Sequence, residues 1–248
     1  MTDTVVLVPL DGSKSAPRAL PVARALAELE KGQVHILGET EETGPQGKTA
    51  EAILAAAADR GAGLIVMSAH SADPAGAIGD VALAVLRGAR CPVVLVGPTR
   101  APGDWALRRV LAPHDGSPSV SHALRPAAEL ARAACAEFIV LQVAGGERAL
   151  EAGSIAPPVY LDQIQHSWPA WSREFLHRLA GICPLGDVRV RLRMGHGELA
   201  GETVRVAGEE SADLIVLAWT GRRDDASTLQ ALLRAAPCPV MVTRVPAS

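Results

Sequence analysis

The residues with the most suggestive spacing are two aspartates, a glycine-lysine-threonine run and scattered histidines and cysteines. Asp11 and Asp115 each end an apolar run and precede Gly-Ser and an Ala/Leu-rich stretch. A carboxylate in that place accepts the N–H groups of a turn and satisfies the first donors of a helix. GPQGKT, Gly44 to Thr49, has the lysine and hydroxyl of a phosphate-binding loop, and it opens a helical stretch. The full pattern needs a glycine where the chain has Glu42. Nor does an apolar strand ending in Asp supply a magnesium ligand, because LIVM runs into Ser68. A plain loop and helix start is the expectation here.

His196, in MGHGELAGE, is a candidate acid or base. The sequence places no partner beside it, so helix entry is its expected role. His70, His114 and His166 are equally without a placed partner, and no H-x3-H or His/Cys cluster points to a metal. Cys91 and Cys238 each precede a proline and an apolar run, the position of a small core residue. Trp168, Trp171 and Phe175 fall on one face of a helix. Packing on its own sheet is the first reading of that helix, and a contact patch or lid is the second. With no nucleophile–base pair, metal cluster or paired carboxylates, an enzyme is not expected.

These residues sit on a duplicated chain. VVLVPLDGSKSAPRALPVARALAEL, from Val5, returns as RVLAPHDGSPSVSHALRPAAELARA, from Arg109. GLIVMSAH, from Gly63, returns as DLIVLAWT, from Asp213, and VLRGARCPVVLVG, from Val85, as LLRAAPCPVMVTR, from Leu232. Three blocks in the same order twice imply two homologous domains, 3–99 and 106–245, joined by a short linker. Apolar runs alternate with helical stretches, so each domain is read as a parallel sheet covered by helices. The offset between repeats grows from 104 at Asp11/Asp115 to 150 at Leu64/Leu214, so the second repeat holds 46 extra residues. They supply the aromatic helix and a strand, DVRVRLRM. The first domain is therefore expected to lack one edge strand and its crossover helix.

Composition narrows the function classes. Of 248 residues, 48% are hydrophobic and the net charge is −3, which excludes a disordered chain and a protein that holds nucleic acid by bulk positive charge. Aromatic residues are only 3%, too few for base-stacking or carbohydrate platforms. No window is apolar enough to span a membrane, and the first residues lack a basic-then-apolar leader, so a cytoplasmic location is expected.

The strand-DGS-helix block, the LIVM or LIVL strand, and the helix ending before CPV and a last strand resemble the universal stress protein family in tandem form. The resemblance covers nearly all of both repeats except the inserted helix region. It implies an α/β fold of two doubly wound parallel-sheet domains, strand order 3-2-1-4-5, like adenine-nucleotide α-hydrolases. It gives Asp11 and Asp115 a second reading, as residues beside a bound adenosine. In the family's nucleotide binders the phosphates lie in a loop Gly-x2-Gly-x9-Gly-Ser/Thr after the fourth strand.

This chain departs from that loop twice. The first repeat has Ser68 and Ser71 for the paired glycines, then Gly79-Asp80, where a carboxylate replaces the hydroxyl and is better suited to capping a helix. The second has Ala218 and Gly221 around Trp219, then Ala226 and Ser227 after a shortened loop. The candidate nucleotide contacts are thus Asp115, Gly221, Ser227, Asp11 and Gly79. No triphosphate is expected in the first domain. The leading expectation is a non-catalytic stress-response protein with degenerate sites, and the alternative is an ATP or adenine-nucleotide switch using the second domain. The expected partner is the other half of the same chain, joined through the final strands Pro92–Val96 and Pro239–Thr243. A homodimer through another surface stays open, and neither nucleic acid nor membrane is expected.

Overall fold

The computed structural model describes residues 4–12, 15–38, 49–69, 78–97, 104–144, 154, 164–183, 185–221 and 223–245. The first half runs β1 (Val5–Pro9), a 3-10 turn (Ala16–Arg18), α1 (Ala19–Leu29), β2 (Gln33–Leu37), α2 (Ala50–Asp59), β3 (Ala62–Ser68), α3 (Asp80–Gly88) and β4 (Val93–Val96). The second runs β5 (Arg109–Pro113), α4 (Pro118–Ala123), α5 (Arg125–Ala133), β6 (Glu137–Ala144), α6 (Ile164–Ile182) and β7 (Val190–His196). It ends with α7 (Leu199–Glu209), β8 (Leu214–Trp219), α8 (Arg223–Ala235) and β9 (Val240–Arg244). The extra residues of the second repeat thus contain α6 and β7. The strand expected from Asp187 begins three residues later and reaches His196, so His196 ends a strand and does not enter the helix.

The described strands form a single nine-stranded sheet, in the order β2-β1-β3-β4-β9-β8-β5-β6-β7. Within each half all pairs are parallel. The final strands meet at an antiparallel seam, with Val93 opposite Val242, Val94 opposite Met241 and Leu95 opposite Val240. These β-branched and apolar strands carry no charge at the seam, and an edge without charge pairs readily. Among the described residues the first half therefore has four strands and the second has five.

Sheet residues alternate between two faces, and each face has a core that crosses the seam. Leu7, Ile65, Leu95, Leu111, Ile215 and Val240 share one core with residues of α2, α3, α7 and α8. Val6, Val66, Val94, Val110, Val216 and Met241 share the other with α1, α5 and α6. Burying each such side chain contributes about 1.5–3 kcal/mol, so the halves stabilise one another.

The duplication extends to backbone conformation. Gly12 (φ 77°) and Gly116 (φ 83°) make the same left-handed turn after Asp11 and Asp115. Lys31 (φ 52°) and Cys135 (φ 52°) are equivalent, and Gly61 (φ 58°) matches Ser211 (φ 50°). Helix starts rely on local acceptors. Thr49 Oγ1 accepts the Ala52 N–H at 3.2 Å, which gives the end of the GPQGKT run a capping role, while Gly44 to Lys48 lie outside the described residues. Ahead of α7, the Glu198 carboxylate accepts the N–H groups of Ala200 and Gly201 at 2.9 and 2.7 Å.

Candidate functional site

In doubly wound sheets ligands bind beyond the carboxyl ends of the strands, where the order reverses. In this chain those points lie between β1 and β3 and between β5 and β8. Asp11 and Asp115 stand at them, two residues past Pro9 and Pro113. Asp11 is half-buried. Asp115 is also half-buried, and its Oδ1 accepts the Ser117 N–H at 2.9 Å. Ser117 in turn caps α4, with its Oγ accepting the Val120 N–H at 3.3 Å. The turn role thus occupies one oxygen of Asp115.

The phosphate-loop candidates are placed apart. In the second half only 220–222 separate β8 from α8. Gly221 is exposed, with φ 83°. Trp219, at the end of β8, is buried at 1% exposure. Ser227 is the fifth residue of α8, so its hydroxyl stands one turn inside the helix and not at its first N–H groups. In the first half Gly79 is the residue before α3 and Asp80 is its first residue, exposed, with no side-chain capping bond at this terminus. The capping role expected of Asp80 is therefore absent. Its charge sits only in the first turn, where the helix dipole favours it. Ser71 and His70 lie outside the described residues.

His114 is where the sequence reading fell short, because it has partners on every side. Its ring is 4% exposed. Nδ1 lies 2.8 Å from the Gly116 nitrogen, whose N–H it accepts. The ring proton therefore sits on Nε2, which donates to Ser121 Oγ at 2.9 Å. The Ser121 hydroxyl in turn donates to the Ser117 carbonyl at 3.1 Å. The Phe175 ring from α6 meets the imidazole edge-on, 5.0 Å between centroids at 83°. Trp171 stacks on Phe175, also at 5.0 Å. Burial pushes the His114 imidazole down to about 4, against a smaller opposing pull from the Asp115 charge. The available signal was the repeat alignment itself, which sets His114 against Leu10 and Ser121 against Pro17.

The aromatic helix does pack on its own sheet, through Phe175 and Leu179, while the Trp168 side chain and Tyr160 lie outside the described residues. Cys238 is buried, and burial raises the half-buried Cys91 thiol. Cys183 is pushed up to about 11 by burial and the Glu129 charge, against Arg125 and Arg132. Burial thus disfavours the thiolate at Cys91 and Cys183. Among the described residues no cluster of His, Cys, Asp or Glu could hold a metal ion, and no helix is long and apolar enough to cross a membrane.

The family model of universal stress proteins matches residues 38–97 and 106–244. No curated protein matches the chain. Among solved structures, a universal stress protein from Archaeoglobus fulgidus DSM 4304 is similar over 98% of this chain and 97% of its own, with TM-score 0.65 and 14% identity. A functionally unknown protein from Pseudomonas aeruginosa PAO1 is similar over 97% and 92%, with TM-score 0.64 and 18% identity. A third, described as a putative universal stress protein from Pseudomonas aeruginosa UCBPP-PA14, covers 97% and 82% with TM-score 0.59 and 19% identity. At these identities the likeness is one of fold.

Proposed function

The chain belongs to the universal stress protein family, and from that premise we propose that it is a non-catalytic, cytoplasmic stress-response or regulatory protein with degenerate nucleotide sites. Its units are domains 3–99 and 106–245, working as an intrachain pair. The observation that carries this reading is the connection 220–222 between β8 and α8. So short a connection after a buried Trp219 leaves less backbone to wrap phosphate oxygens than a long glycine-rich loop does. Ser227 stands inside α8, away from the helix start. In the first domain the Asp80 carboxylate opens α3 and would repel phosphate.

A second reading keeps an adenine nucleotide in the second domain alone. Asp115 and Gly221 favour it, because they follow β5 and β8, which pair at the point where the order reverses. Thermal unfolding of the full chain with and without Mg-ATP separates the two. The first reading expects an unchanged midpoint. A ligand at one hundred times its Kd adds about 2.7 kcal/mol, and an upshift of that size would establish the second. Slow nucleotide turnover would reopen enzymatic chemistry.

A further inference from the structure

His114 lies between the Asp115–Ser117 turn, α4 and α6, and both ring nitrogens are committed. We propose that His114 is an acid-sensitive latch that holds the turn and α6 onto the sheet of the second domain when neutral, and releases them when protonated. The second proton must go on Nδ1, where it meets the Gly116 N–H, donor against donor. A backbone N–H cannot turn round to accept, so the turn has to move. The ring is 4% exposed, which leaves little water to solvate the cation in the closed state.

Charges around the ring do little to offset this. Asp115 is the acidic neighbour, and one of its oxygens is already engaged by Ser117. His122 on α4, Arg125 on α5, and Arg173, Glu174, His177 and Arg178 on α6 are all exposed. On β6 the group facing the ring's side of the sheet is neutral: Gln142 follows Leu141, whose carbonyl accepts the His114 N–H at 2.8 Å. Gln142 is buried, and its Oε1 has no hydrogen-bond partner. Strand alternation puts it on the same face as Phe138 and Val140, beneath α6. Its side chain is uncharged, so it supplies no counter-ion to the protonated ring. The first domain has neither part: Leu10 and Gly38 take the places of His114 and Gln142.

Amide hydrogen exchange on the full chain tests this, with protection factors corrected for intrinsic rates. With the imidazole at about 4 when closed and an ordinary value when open, protection of 114–121 and 171–179 should fall about 30-fold from about pH 7.5 to about pH 5. Strands β1 and β3 should keep theirs. His114→Leu, which copies Leu10, should remove the pH dependence. Ring nitrogen NMR of the unmodified protein gives a second readout that does not depend on the variant folding. It should show the Nε2–H tautomer at neutral pH and titration well below the ordinary range. The proposal is overturned if His114→Leu keeps the same pH dependence, if the ring titrates like a free histidine, or if protection falls equally in both domains.

Discussion

The outer strands β2 and β6 occupy equivalent places, yet they differ in nearly every contact. Val34, His35 and Ile36 match Phe138, Ile139 and Val140. The latter three are fully buried, beneath α6 on one face and α7 on the other, with β7 alongside. In the first domain β2 has no strand beyond it among the described residues, and Ile36 is 47% exposed. The exposed edges are also defended differently. On β7, Arg191 pairs with Glu210 at 2.5 Å and Glu137 at 3.1 Å, and Arg193 pairs with Glu209 and Glu210. The Glu210 carboxylate holds the Arg191 guanidinium above its usual range, and the arginines lower Glu210. Strand β2 carries no such charge in Gln33–Leu37. Among the described residues the first domain's edge thus lies one strand further in than the second's.

The largest effect tests what the two unlike halves share. Val94 and Met241 face each other at the seam, at 0% and 1% exposure. Val94→Asp or Met241→Asp buries an unpaired charge and should cost about 4 kcal/mol, read by denaturant unfolding. A loss below about 1 kcal/mol would mean that the halves do not depend on the seam. Next comes the contrast between the outer strands. Phe138→Ala should cost about 3–5 kcal/mol, as a buried aromatic does. Ile36→Ala should cost less than about 1 kcal/mol, because half the side chain is already in water. Equal losses would show that something covers β2.

The acid response should be smaller and confined to one half. The folded His114 value lies below its unfolded one, so its stabilisation is complete above about pH 6.5 and is lost as pH falls toward about 4. By about pH 5 the loss should reach about 2 kcal/mol, at 1.36 kcal/mol per unit. His114→Leu should flatten that part of the stability curve. The smallest effect uses the left-handed pair Gly61 and Ser211. Ser211→Gly should gain about 0.5–1 kcal/mol, and Gly61→Ser should lose about as much. Opposite signs in the two domains are the readout, by thermal unfolding.

Much of this fold is legible in the residues. The repeat offset locates α6 and β7, because homologous blocks leave an insertion nowhere else to go. The seam follows from two largely apolar, β-branched final strands that need partners. Other features depend on contacts distant in sequence. His114 looks alone because Phe175 comes from an inserted helix and Ser121 is drawn near by the turn at Gly116. Ser227 looks like a loop hydroxyl because spacing alone does not show that α8 starts four residues earlier. Asp80 looks like a cap, but Gly79 holds that position and Asp80 is the first residue of the helix proper.

The central claim is that the second domain, although complete in strands, has given up its phosphate cradle. Calorimetric titration of Mg-ATP into the full chain tests it most directly. The account predicts no saturable heat up to about 1 mM nucleotide, where any site of useful affinity would fill. Saturable binding of one nucleotide per chain, abolished by Asp115→Ala, would contradict it.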